Sequence, residues 1–113
     1  MIDAAPLDRM FTALADAGRR GMVERLSLGP ATVKQLAGPT NMGLPSALKH
    51  LKVLEDGGIV VSRKVGRTRT FSMQPDAFRE MDEWVRARKA TMNIAFDRLA
   101  EAMKAFPEED GTS

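Results

Sequence analysis

The stretch LPSALKHLKVLEDGGIVVSRKVGRTRTF, residues 44–71, changes texture twice in 28 residues. Its first half repeats apolar residues at helical spacing, with Pro45 suited to a first helical turn, where a missing N–H costs nothing. Gly57-Gly58 stops that helix. The second half, IVVSRKV and TRTFSM around Gly66, reads as two strands joined by a tight turn. Arg63, Lys64, Arg67 and Arg69 cluster at that turn. A helix carrying lysines among leucines, followed at once by a basic hairpin, is the pattern to be explained.

Upstream, LDRMFTALADAG places Leu7, Met10, Phe11 and Leu14 on one helical face, with Gly18 as the expected stop. RRGMVERLSLGP continues as a second helix through Met22, Val23 and Leu26, ending at Gly29-Pro30. ATVKQLAG is a short third helix. Its Thr32, followed three residues later by Gln35, forms a capping-box pattern that satisfies free backbone N–H groups. GPTNMG is turn chemistry. Downstream, Pro75-Asp76 opens a long helix whose apolar residues fall at Phe78, Met81, Val85, Met92, Phe96, Leu99, Met103 and Phe106. That is largely a three-four spacing, interrupted by Arg88. The tail 107–113 is polar and reads as disordered.

The order is thus α-α-α-α-β-β-α, mainly α with one β-hairpin: a winged helix-turn-helix. A single domain is expected over 1–106, with the C-terminal helix, about 76–106, as a dimerisation element. The chain has 113 residues and no cysteine, which excludes disulfides, thiolate metal sites and thiol redox sensing. The net charge of +2 hides an asymmetry: residues 1–74 carry +5 and residues 75–113 carry −3. Such a split suggests a polyanion-binding part joined to a part with another task. No apolar run spans a bilayer, and the start lacks the layout of a secretory signal, so a cytoplasmic protein is expected. The sole histidine, His50, rules out a multi-histidine metal site. Carboxylates such as Asp76, Glu80, Asp82, Glu83, Asp97 and Glu101 lack nitrogen partners, so no metal or other cofactor is expected. No phosphate-binding glycine loop or nucleophile–base set points to an enzyme.

The segments LADAGRRGMVERLSLGPATVKQLAG, LKHLKVLEDGGIV and GRTRTFSM together resemble the arsenic-repressor (ArsR) family of bacterial winged helix-turn-helix regulators. The resemblance covers roughly residues 7 to 106. It implies a homodimeric repressor on double-stranded operator DNA, located with the bacterial nucleoid when bound. It also leaves room for an unidentified small-molecule inducer, although without the metal-sensing cysteines. By the same resemblance, the DNA-facing set is Thr32, Gln35, Leu44, Pro45, Ser46, Leu48, Lys49, Lys52, Arg63, Lys64, Arg67, Thr68 and Arg69. The dimer interface, on the first and last helices, is Met10, Phe11, Phe78, Met81, Val85, Met92, Phe96 and Leu99. A winged-helix protein-interaction module is the rival reading, and it fits poorly with a basic wing.

Two features depart from the family pattern. Leucines stand at 44 and 48, where small polar residues are usual, and Gly43 replaces a hydroxyl N-cap. Periodicity allows both leucines to join one apolar stripe with Ala47, Leu51 and Leu54. The family alignment turns them toward DNA. His50 lies near the stripe and is expected to hydrogen-bond beside the helix.

Overall fold

The computed structural model describes residues 5–106; the tail expected to be disordered lies outside them. Two compact units are present, one ending at Glu80 and the other beginning at Met81. The first contains α1 (Ala5–Leu14), α2 (Ala17–Leu26), β1 (Ala31–Thr32), α3 (Val33–Ala37), a 3₁₀ turn (Gly38–Thr40), α4 (Leu44–Asp56), β2 (Val60–Val65) and β3 (Thr68–Met73). The final helix, α5, runs Arg79–Ala105.

The first two helices divide earlier than the glycine suggested. Asp16 is extended and accepts from the Arg19 N–H at 3.0 Å, capping α2. Gly18 therefore lies inside α2 and is no stop. A capping carboxylate outweighs one glycine here, because it satisfies donors that the helix start leaves open. The C-terminus of α2 is likewise Leu26, earlier than Gly29-Pro30.

The capping box of α3 is present as read. Gln35 N–H donates to Thr32 Oγ1, and Thr32 N–H donates to Gln35 Oε1. In α4 the buried stripe is Ala47, Leu51 and Leu54, spaced four and three residues apart. Gly57 follows α4 where the chain presses on α1: an added Cβ would lie 3.1 Å from both Ala13 Cβ and the Arg9 carbonyl. Leu36, Ile59, Val60, Phe71, Met22 and Leu26 complete this core.

The sheet has a third strand that the sequence did not announce. Its order is β1-β3-β2, all antiparallel, with Ala31 and Ser62 flanking Phe71. Two residues are too few to show alternation. The wing turn has Gly66 at φ 64°, followed by Arg67 at negative φ, the pattern of a hairpin turn with glycine in its first central position.

The last helix starts four residues later than Pro75 would place it. Ala77 N–H bonds Gln74 C=O and Arg79 N–H bonds Asp76 C=O, both spanning three residues. With Ala77 buried and Gln74 N–H held by Ile59 C=O, residues 74–78 are pinned as turns. Phe78 therefore belongs to a turn instead of a helical stripe. Met92, Phe96, Leu99 and Met103 on α5, and Phe106 just after it, are all at least half exposed at four-three-four-three spacing. Arg88, which interrupts the stripe, lies with its guanidinium 5.1 Å from the centre of the Trp84 ring, a cation–π arrangement.

Candidate nucleic-acid interface

Because Ala47, Leu51 and Leu54 take the core side of α4, its other residues face outward. Leu44 is 41% exposed and Leu48 is 48% exposed. The two leucines therefore lie outside the buried stripe. Pro45, Ser46, Lys49 and Lys52 share the exposed surface. Lys52 Nζ pairs with Asp56 Oδ1 at 2.8 Å, and that hydrogen bond raises its pKa above the usual lysine value. An exposed pair of this kind is weak enough to exchange for a phosphate.

The wing cations do not share one face. Strand alternation puts Ser62, Lys64 and Arg69 on the side of Phe71, and Val61, Arg63 and Val65 on the other. Lys64 and Arg69 are directly opposed across the hairpin, a like-charge pair that costs stability when no anion lies beside it. Arg67 sits in the turn itself. Arg69, Arg67 and Thr68 then meet Thr32, Val33 and Lys34 around a groove of about 430 Å³. Lys34 was absent from the expected set. It sits at the start of the first helix of the helix-turn-helix, the element that crosses the DNA backbone in this architecture, and that position was its only sequence signal.

Two side-chain chains fix these elements. Arg69 Nη1 donates to Ser62 Oγ at 2.8 Å, and Ser62 Oγ donates to Glu55 Oε2 at 3.1 Å, so the wing is tied to the end of α4. At the other end of the domain, Arg19 donates to the Ala13 and Thr12 carbonyls, closing the end of α1. Its Nη1 also lies 3.3 Å from His50 Nδ1, with Asp16 Oδ2 at 3.9 Å. His50 thus joins α4 to the α1–α2 corner, the structural role expected of it. The Arg19 backbone N–H holds the Asp16 carboxyl below its ordinary pKa, with the charges of Arg19 and His50 adding to the effect.

Of the residues expected at a dimer interface, Met10 is only 6% exposed, on the buried side of α1 with Ala13. Phe11 and Phe78 are 41% exposed, Met81 and Val85 are half-buried, and Met92, Phe96 and Leu99 are exposed. Among the described residues, no group of three His, Asp or Glu side chains is placed to hold a metal ion. No described helix is long and apolar enough to cross a membrane.

No family model matches the chain. It is 41% identical over 68 residues to an HTH-type transcriptional regulator of Mycobacterium tuberculosis, Rv2034; the matched segment is 60% of this chain and spans only 64% of the length of that protein. A solved ArsR family transcriptional regulator is 39% identical, with a TM-score of 0.75, over 81% of this chain and 95% of the other. The homodimeric winged helix-turn-helix DNA-binding domain from Mycobacterium bovis is 25% identical, with a TM-score of 0.63, over 87% and 84% of the two chains. The first two are transcriptional regulators, a non-enzymatic class. With that identity spread across nearly the whole of a solved regulator, and with a basic wing beside an outward-facing second helix, the chain belongs to the ArsR family of winged helix-turn-helix transcriptional regulators.

Proposed function

We propose that this protein is a homodimeric repressor that binds a two-fold operator in double-stranded DNA. In this reading α4 enters the major groove, and Lys34, Lys64, Arg67 and Arg69 neutralise the flanking phosphates. The observation that carries it is the opposed Lys64–Arg69 pair beside the groove lined by Lys34 and Arg67. Like charges clustered on neighbouring positions are stabilised when a polyanion lies beside them.

The dimer rests on α5. Its exposed stripe from Met92 to Met103, continued by Phe106, follows coiled-coil spacing and is long enough to bury against a second copy. Phe11, Phe78, Met81, Val85, Met92, Phe96 and Leu99 are the proposed contacts. The homodimeric relative supports the same assembly. A repressor of this kind works from the cytoplasm and is nucleoid-associated while on its operator. A small-molecule inducer fits the reading.

The test is a mobility-shift titration on the region upstream of the protein's own gene, with sedimentation of the free protein at micromolar concentration. A retarded complex that survives excess random DNA, together with the dimer mass, is expected. A monomer, or retardation abolished equally by any DNA, overturns the reading.

A further inference from the structure

Resting on that reading, the outward face of α4 has a chemistry of its own. Reading base edges by hydrogen bonds falls to guanidinium, ammonium, amide, carboxylate or hydroxyl side chains. Of these, residues 44–49 offer only Ser46 and Lys49. They present Leu44, Pro45 and Leu48 to solvent, with Ser46 and Lys49 beside them. A lone exposed leucine needs no explanation. Here two leucines, four residues apart, stand one above the other on the helix surface at roughly 5–6 Å. The core has not claimed them, because Ala47, Leu51 and Leu54 already fill the stripe at nearly full burial.

The major groove displays one apolar feature, the C5-methyl group of thymine. We infer that Leu44 and Leu48 are specificity-determining residues that recognise C5-methylated pyrimidines at two places in each operator half-site. Their separation matches methyl groups on base pairs one or two steps apart. Lys49, next to Leu48, serves a neighbouring phosphate or guanine. Recognition through methyl groups requires no hydrogen-bonding side chain at positions 44 and 48, which accounts for leucines standing exposed at both.

The experiment starts from the full-length protein and a randomised duplex pool, from which bound sequences are selected. The enriched duplex is then remade with deoxyuridine in place of thymidine at each half-site, which deletes the methyl groups and keeps every base pair. Wild-type affinity should fall by about fourfold for each recognised methyl group deleted, while affinity for random DNA is unchanged by the same replacement. The Leu44→Ala/Leu48→Ala variant should bind the two operators equally. Equal wild-type affinity for the thymidine and deoxyuridine operators overturns the inference and leaves the repressor reading standing. A pool in which nothing is enriched overturns both. Should the double variant instead shift the sedimenting species to monomer, the leucines face protein and the inference fails.

Discussion

The division of the wing cations between two faces predicts that they differ in the salt dependence of operator binding. Lys64 and Arg69 lie on the face shared with Phe71, Arg67 is in the turn, and Lys34 closes the groove beside them. Arg63 lies on the opposite face, in a hollow with Pro30, Val61, Val65 and Thr70. If the first four each neutralise one phosphate, a dimer neutralises about eight, and log K should fall with log salt at a slope of about −7. Arg67→Ala removes one phosphate partner per subunit and should flatten that slope by about 1.8. Between about 50 and 200 mM salt, wild-type affinity then drops on the order of 10⁴-fold and the variant's on the order of 10³-fold. Arg63→Ala should leave the slope unchanged. Fluorescence anisotropy of a labelled operator, titrated at several potassium chloride concentrations, measures all three slopes. Equal flattening by Arg63→Ala and Arg67→Ala would refute the face assignment. No flattening by Arg67→Ala would refute the wing as a phosphate-binding element.

Leu48→Ser should hold its melting temperature, since exposed substitutions stay within about 0.5 kcal/mol, whereas Leu51→Ala, in the core, should lose about 2–5 kcal/mol in urea unfolding. Ser62→Ala cuts the link from Arg69 to Glu55; operator dissociation should quicken while the salt slope stays, and an unchanged off-rate would count against a positioning role. Asp16 has a lowered pKa when folded, so its contribution is present above the unfolded carboxylate value and is lost as pH falls below about 4. Asp16→Asn should therefore show a flatter stability profile from about pH 5 to pH 2 in thermal melts, and a profile parallel to wild type would refute the assignment.

The helices and hairpin were legible because their signals are local and strong: the Thr32–Gln35 box, the stripe through Leu51 and Leu54, and Gly66 between β-rich runs. What stayed hidden depended on tertiary placement. β1 is two residues that become a strand only because Phe71 lies alongside. Residues 75–78 look like a helix start until the Gln74 N–H is seen to be held by Ile59. Met10 fits an interface stripe by spacing, but burial is decided by what surrounds α1. The basic wing was visible as composition, but its two faces appear only with the register, which also brings Lys34 from a distant helix into the groove. Leu44 and Leu48 were undecidable by periodicity, because five apolar positions make a stripe wider than the core can use.

The strand order β1-β3-β2 leaves β2 as an open edge among the described residues, with a row of backbone donors and acceptors along its outer side. Val61 is 40% exposed and Val65 69% on the same face, an invitation to strand-to-strand growth between molecules. Arg63 stands between those valines. A charge at that spot makes stacking of two hairpins electrostatically costly, so Arg63, which lines a different hollow from Arg67 and Arg69, discourages self-association of the free protein. Neutralising it would register in light scattering of concentrated protein well before it registered at any promoter.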